Sequence, residues 1–161
     1  MIEVVKVPGV LAYEKYGFTN CVRHDGVLYL SGVSSLDVEG RVIGADIETQ
    51  TRHTFANIDT ILRAAGSGLD RVLQMTGFVV DLDRNGAGYV ATRAALLTSP
   101  TYTSATIGIS ALMVPGLLLE VQCRAAAAAS PARWPALSRD TRDMGVVPGL
   151  TMPPVSVMMR P

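Results

Sequence analysis

The chain has 161 residues, of which 48% are hydrophobic and 17% charged, so we expect one domain with one sizeable core and some apolar surface given to a subunit interface. Its 14 basic and 14 acidic residues cancel, which argues against a nucleic-acid partner because such proteins usually show a basic excess. The sequence has no apolar run long enough to span a membrane, no signal peptide and only two cysteines, so we expect a reduced, cytoplasmic protein.

The first predicted elements are strands. Cys21–Arg23 and Val27–Ser31 flank the turn His24-Asp25-Gly26, and Asp-Gly between apolar runs is a strong hairpin signal. Gly32 ends the second strand. A further strand near Ile2–Val7 is an open possibility.

A long helix follows. Asp46 is suited to the N-cap because its carboxylate accepts from exposed backbone N–H groups, and Gly66 is a natural stop. Apolar side chains recur at spacings of three and four, which predicts one buried stripe. Its members are Ile47, Thr51, Phe55, Ile58, Leu62 and Ala65.

The next segments predict a strand, a loop and a second helix. Val72–Val80 is apolar on both faces, as in an inner strand covered by helices. Asp81–Gly86 is interpreted as a loop, and the second helix is placed roughly from Ala87 to Leu97. The predicted buried stripe of that helix is Val90, Ala94 and Leu97.

Two alternating segments end the folded part. In Tyr102–Ser110, Ser104, Thr106 and Gly108 point opposite to Ile107 and Ile109. In Leu117–Ala125, one face carries Glu120, Gln122 and Arg124 and the other carries Leu119, Val121 and Cys123. The order of elements predicts an α+β fold, a single sheet with both helices on one face.

Composition divides the chain at about residue 128. Residues 1–128 hold the predicted elements, and residues 129–161 form a tail with most of the prolines and several methionines. Proline excludes regular helix or inner strand there. Trp134 and the methionines favour partial docking of this tail, and a disordered terminus is the alternative.

The combined pattern resembles the reactive-intermediate deaminase family, also called RidA or YjgF, over residues 10 to 127. That resemblance implies the chorismate-mutase-like fold and a homotrimer, in which the sheets form a central barrel and three ligand clefts lie at the subunit boundaries. The matching pieces are Leu28–Gly32, Asp46–Thr51, Asn57–Gly66, Thr76–Leu82, Thr106–Leu112 and Leu119–Gln122.

Members of the deaminating kind hydrolyse imines or enamines released by pyridoxal-phosphate enzymes, giving 2-keto acids and ammonia without a cofactor of their own. The resemblance implies a pocket with a carboxylate-binding arginine, a glutamate near a catalytic water, and supporting aromatic, amide and backbone groups. In this sequence the glutamate matches Glu120 and the arginine position holds Ser104, while the supporting positions hold Phe18, Ser31, Gly32, Tyr89 and Thr106.

The departure at Ser104 changes the expected substrate. A guanidinium binds a carboxylate through two charge-assisted hydrogen bonds, whereas serine offers one neutral donor. Phe18 and Tyr89 also make the cleft bulkier and more apolar than the family pattern, so we expect a larger, less anionic substrate. Whether Arg124 or Arg93 replaces the missing arginine is left open by the sequence, and Arg124 is retained as a candidate binding residue.

Glu120 is the best candidate for catalysis. A carboxyl group beside Ser104 and Thr106 would act as a general acid or base, whereas the alternative is a surface glutamate paired with Arg124. The compatible reactions are imine or enamine hydrolysis, tautomerisation, dehydration and cyclisation. Ser104 and Thr106 have no nearby histidine to activate them, so we interpret them as polar lining. No metal site is expected, because Cys21 and the nearby histidine lack a second ligand pair.

Two hypotheses follow. The first is an atypical enzyme acting on a reactive intermediate of a specialised biosynthetic or catabolic pathway. The second is a non-catalytic metabolite-binding or regulatory protein with the same fold. Both predict a small-molecule ligand and a homotrimer, without a nucleic-acid or membrane partner.

Overall fold

A computed structural model describes residues 1–99 and 101–128. Two helices pack on a seven-stranded sheet in these residues. The predicted tail, residues 129–161, lies outside them, so its docking and the domain division stay predictions. The helices are α1 (Ile47–Ala64) and α2 (Leu82–Leu96), and the strands are β1 (Glu3–Val4), β2 (Cys21–His24), β3 (Val27–Leu30), β4 (Val33–Ser34), β5 (Val72–Val80), β6 (Thr103–Ile109) and β7 (Leu119–Ala126).

The sheet has the order β1-β2-β3-β7-β5-β6, and β4 also pairs with β7. Only the β5–β6 pair is parallel among the described strands. The β2–β3 hairpin closes through Asp25 and Gly26, both at positive φ (48° and 77°), which is the backbone that the Asp-Gly turn predicts. This order makes β6 an edge strand and places β5 between it and β7.

Both helices cover one face of the sheet, as the sequence predicts. Leu119, Val121 and Cys123 of β7 are buried beneath the helices, with exposures of 2% or less. Glu120 and Arg124 lie on the opposite, open face. The alternation of apolar and polar residues along β7 therefore predicts correctly which side chains face the helices and which face the open side of the sheet. No described helix is long and apolar enough to cross a membrane.

Helix α1 forms where the sequence predicts it. The Asp46 side chain accepts from the Thr49 backbone N–H at 2.8 Å, and Gly66 adopts a φ of 71° just after the helix. Phe55 and Leu62 are 2% exposed or less. The apolar spacing and the two caps thus fix both the buried face and the ends of this helix.

Helix α2 departs from the prediction in its start and in its buried face. It begins at Leu82, so the segment interpreted as a loop is its first turn. Within the helix the buried residues are Asn85, Tyr89 and Thr92, whereas the predicted Val90 and Ala94 are exposed. Leu97, at the C-cap, is buried as predicted. The physical reason is close packing against glycine, because the Tyr89 ring lies directly against Gly77 of β5. The spacing of apolar residues along the helix cannot predict such a contact, because it depends on a glycine in another element.

Candidate active site

A cavity of about 460 Å³ lies on the side of β7 that carries Glu120. That volume is within the range of small-molecule sites. Its polar groups are few, which leaves most of the lining apolar or aromatic. The lining consists of the aromatic Tyr13, Tyr16 and Phe18, the aliphatic Leu11, Leu36, Met113, Val114 and Leu117, and the polar positions Gly32, Ser34 and Glu120.

The aromatic wall comes from the segment before β2. A short 3₁₀ turn, Glu14–Tyr16, ends at Gly17 with a φ of 87°, and this turn folds the chain back so that three rings meet. The Phe18 ring centroid is 4.9 Å from that of Tyr13 and 6.5 Å from that of Tyr16. Phe18 is 51% exposed and lines the cavity, so it lies at the outer edge of the aromatic wall.

Glu120 is the acidic group of the cavity. Ser34 lies opposite it in the β4–β7 ladder and donates from Oγ to its Oε2 at 3.3 Å. Among the residues that the structure describes, Glu120 has no ion-pair partner, so the predicted alternative of a surface pair with Arg124 is not observed. Burial raises the pKa of the Glu120 carboxyl, and the Ser34 hydrogen bond opposes that shift only in part.

Gly32 allows Glu120 to take this position. A side chain at Gly32 would overlap the carboxyl group of Glu120, which lies against the bare backbone. Glycine is therefore required here for close approach rather than for its φ angle. The structure thus brings Gly32 and Glu120 into contact, and their joint role in a site stays a prediction.

Tyr13 is a site residue that the sequence analysis missed. Its hydroxyl donates to the Gly32 carbonyl at 3.0 Å, and its pKa is raised to about 12 by burial, with Glu120 and Tyr16 as smaller causes. The cavity therefore has one phenolic hydroxyl, that of Tyr13, close to its carboxyl group, although the predicted aromatic position holds Phe18, which lacks a hydroxyl. The only signal in the sequence was a tyrosine among apolar residues shortly before the hairpin.

Ser31 does not offer its hydroxyl or its backbone N–H to the cavity, which corrects the prediction for those two groups. Its hydroxyl donates to the Thr19 carbonyl at 2.6 Å, and its backbone N–H donates to the Asn20 carbonyl at 3.0 Å. Ser31 instead fastens the end of β3 to the segment that carries the aromatic wall.

Ser104 and Thr106 do not lie beside Glu120, and that expectation is wrong for a single chain. They pair with Met75 and Gly77 of β5 and face the helices. Glu120 pairs with Phe78 and faces away from the helices. The two groups are thus on opposite faces of the sheet with β5 between them, because β6 adds to the sheet edge beyond β5.

Tyr89 is also placed differently from the prediction. It is 0% exposed and fills the space above Gly77, so its ring is core packing and not a cleft wall. Burial raises the pKa of the Tyr89 hydroxyl, and the nearby Arg93 opposes the shift. The guanidinium of Arg93 stacks 5.2 Å from the ring centroid.

Arg124 lies apart from the cavity. It is on the open face of the sheet, next to Gln74 in the β5–β7 ladder, and its guanidinium is 5.5 Å from the Tyr29 ring centroid. Four residues separate it from Glu120, a rise of roughly 13 Å along a strand. The described chain therefore brings Phe18, Gly32 and Glu120 together but leaves Arg124 outside their site.

Neither cysteine is a reactive group at this site. Cys21 and Cys123 are both buried and unbonded. Desolvation raises the pKa of the Cys21 thiol to about 11 and that of Cys123 to about 12, which leaves both protonated at neutral pH. They serve as small apolar side chains of the core.

A family model for endoribonuclease L-PSP matches residues 12–127. The chain belongs to this family. No curated protein matches the sequence. The matched range contains the whole aromatic wall, the helices and the strand that carries Glu120, so all the residues that line the cavity except Leu11 fall within it.

Several solved structures share the fold. YyfA from Yersinia pestis, described as a conserved Rid protein of unknown function, is 25% identical with a TM-score of 0.72, covering 79% of this chain and 100% of YyfA. Rv2704 from Mycobacterium tuberculosis, a YjgF/YER057c/UK114 family member, is 23% identical with a TM-score of 0.64, covering 76% and 100%. Yeast Mmf1 is 17% identical with a TM-score of 0.74, covering 80% and 100%. The predicted RidA/YjgF membership and α+β fold are confirmed.

Proposed function

We propose that this protein is an atypical RidA-like enzyme that uses Glu120 as a general acid and base on a reactive intermediate. One observation carries the proposal: a carboxyl group with a raised pKa faces an apolar cavity of about 460 Å³ and has no cationic partner among the described residues. A carboxyl group whose pKa moves toward neutrality exchanges protons more readily at the working pH.

The reaction that fits best is imine or enamine hydrolysis. Water adds to the carbon of the C=N bond while Glu120 takes a proton from that water and passes it to the nitrogen, which gives a carbinolamine. Glu120 then takes the proton of the carbinolamine hydroxyl and delivers it to the same nitrogen, so that the C=O bond forms as the C–N bond breaks and ammonia leaves. An enamine first receives a proton on carbon and becomes the imine. Tautomerisation, dehydration and cyclisation need the same single acid–base group, so they are further reactions within this proposal.

The cavity supports a bulky, largely apolar substrate. Aromatic and aliphatic side chains form most of its lining, with Ser34 and Glu120 as the polar groups at one end. The volume exceeds the needs of a three-carbon acid, and burial of an apolar group there would contribute about 25 cal/mol per Å². Such a substrate suits a specialised biosynthetic or catabolic pathway.

The proposal includes a homotrimer with its active sites between subunits. Ser104 and Thr106 face away from the Glu120 of their own chain, so they reach a Glu120 cavity only in a neighbouring copy. The open face of the sheet also leaves Ile107 45% exposed, which is apolar surface suited to burial in an assembly. Sedimentation of the purified protein tests this, and a monomer would contradict the shared site.

The catalytic role is tested with Glu120→Gln, which keeps the shape of the side chain and removes its proton exchange. We expect turnover of an imine made from a bulky aromatic aldehyde to fall by roughly 100- to 10,000-fold. Glu3→Gln is the matched control, since Glu3 lies on the far strand β1, is exposed and pairs with Arg23 of β2. Unchanged turnover in Glu120→Gln would remove this residue from the mechanism.

A non-catalytic metabolite-binding protein is the second candidate. The neutral Ser104 in place of a cation favours it, because a binding protein has no need to hold a reacting carboxylate in register. Thermal shift against a metabolite panel discriminates the two. Stabilising ligands without any turnover would support binding alone.

A further inference from the structure

We propose that Asn57 of helix α1 is a positioning residue that holds Ser34 against the Glu120 carboxyl group. This inference rests on the proposed function and deepens it by naming a residue that controls the acid–base group from outside the cavity. Helix α1 supplies none of the described side chains that line the cavity, so Asn57 acts only through the chain segment that it holds.

The Asn57 side chain fixes two residues of the cavity wall. Its Nδ2 donates to the Ser34 carbonyl at 3.1 Å and to the Leu36 carbonyl at 2.9 Å. Ser34 and Leu36 both line the cavity. Because an amide nitrogen carries two protons, Asn57 uses its whole donor capacity on the backbone of this one segment.

Ser34 needs this support because its strand ends there. β4 has two residues, and Ser34 is the second of them, paired with Glu120 in the β4–β7 ladder. The Ser34 carbonyl also accepts from the Leu36 N–H, but that bond lies within the same segment and does not fix the segment to the core. The Ser34 hydroxyl is 3.3 Å from Glu120 Oε2, which is long for a hydrogen bond between oxygens. A small displacement of Ser34 would therefore break that bond, and Asn57 prevents the displacement.

A second amide of α1 holds another part of the cavity wall in the same way. Gln50 is 0% exposed, and its side chain donates to the Gly116 carbonyl and accepts from the Leu118 N–H, both at 2.8 Å. Leu117, between these two partners, lines the cavity. Gln50 and Asn57 are seven residues apart, which is about two helical turns, so they lie on the same face of the helix. Helix α1 is therefore a common support for the wall, and Asn57 is the amide that acts on the neighbour of Glu120.

The Glu120 carboxyl group has few titratable neighbours, so its pKa reports the position of Ser34. Tyr13 and Tyr16 are the other titratable groups that line the cavity, and no cation or second carboxyl group does so in the described chain. Burial raises the pKa of Glu120, and the Ser34 hydrogen bond opposes that shift. Loss of this bond should therefore raise the pKa of Glu120 further.

The experiment measures the pKa of Glu120 in the full chain without any substrate. Glutamate Cδ atoms are labelled with ¹³C, NMR spectra are recorded over a pH series, and Glu120→Gln identifies the signal by its loss. Asn57→Ala and Ser34→Ala should each raise the pKa. The double variant should match Ser34→Ala, because Asn57 acts on Glu120 only by holding the Ser34 hydroxyl in place. In turnover, the acidic limb of kcat against pH should move to higher pH in Asn57→Ala, since Glu120 must be ionised to accept the first proton.

The controls separate positioning from general stability. Asn85→Ala is matched, since Asn85 is a buried asparagine of α2 whose Nδ2 donates to the Val80 carbonyl at 2.7 Å. It should lower stability and leave the pKa of Glu120 unchanged. Asn57→Gln keeps both amide protons on a longer side chain, so its Glu120 pKa should lie between those of wild type and Asn57→Ala. It also supplies the result if Asn57→Ala does not fold.

A folded Asn57 variant with the wild-type Glu120 pKa, an equal rise in Asn85→Ala, or a rise that adds to that of Ser34→Ala would each overturn the inference. Failure of the proposed function has a different signature. If Glu120→Gln leaves turnover unchanged while the pKa of Glu120 still depends on Asn57, the catalytic assignment fails and the positioning of Ser34 by Asn57 stands.

Discussion

The Glu120 cavity and the Arg93–Ser104 pair are two polar regions built in opposite ways. Glu120 lies in a mostly apolar cavity on the open face of the sheet, and it is positioned by contact with a bare backbone. Arg93 and Ser104 lie at the sheet edge on the helix-covered face, and they position each other by a hydrogen bond. One chain therefore carries these two polar regions on opposite faces of its sheet, where they cannot meet.

Gly32→Ala should give the largest effect, a loss of turnover caused by displacement of Glu120. The added methyl group would occupy the space of the Glu120 carboxyl and force it away from Ser34. We expect turnover to fall by about 100-fold or more, since a misplaced acid loses most of its contribution. Steady-state kinetics measures this.

Gly86→Ala is the control for that variant. Gly86 lies in α2, where an added methyl group meets only the end of the flexible Leu82 side chain. It should leave turnover unchanged and raise helix stability by at most about 1 kcal/mol. Equal loss of turnover in both variants would show that the Gly32 effect is not local to Glu120.

Gly77→Ala should have a smaller effect, a loss of stability at the contact between Gly77 and the Tyr89 ring. Its methyl group would overlap the Tyr89 ring, which is fully buried and has no free space to enter. We expect the free energy of unfolding to fall by about 1–3 kcal/mol and the ring beneath Arg93 to shift. Denaturant unfolding measures the first effect. Combination with Tyr89→Leu should then cost less than the sum of the two single changes.

The pH dependence of stability should give the smallest effect. The folded pKa of Glu120 is raised above its ordinary value of 4.5, so the protonated form is favoured by folding. Its contribution to stability is complete below 4.5 and is lost as pH rises through the folded pKa. The stability of Glu120→Gln relative to wild type should therefore increase with pH across that window and level off above it. A flat difference in denaturant unfolding would contradict the raised pKa.

The sequence predicts what depends on periodicity and local chemistry. The faces of β6 and β7 follow from alternation, and α1 follows from its stripe and the Asp46 cap. Packing that depends on glycine is not visible in that way, so the start and the buried face of α2 were wrong.

Long-range pairing explains the remaining errors at the site. Alternation places Ser104 on one face of its strand but does not reveal which strand lies beside it. The parallel addition of β6 to β5 puts Ser104 on the face away from Glu120. Tyr13 was missed because its role comes from a hydrogen bond to Gly32, 19 residues away in the sequence. The contact between Arg93 and Ser104 likewise joins two elements and has no sequence signature.

The bond from Tyr13 to Gly32 couples the aromatic wall to the acid. The Tyr13 hydroxyl is hydrogen-bonded to the same glycine that the Glu120 carboxyl group contacts, so a shift of the Gly32 backbone would disturb both side chains. A ligand that moves the Tyr13 ring is therefore expected to shift Gly32, and with it the proposed acid–base group Glu120, without contacting that carboxyl group. Compounds that insert beneath the Tyr13 ring are therefore expected to inactivate the protein without binding to the Glu120 carboxyl group itself.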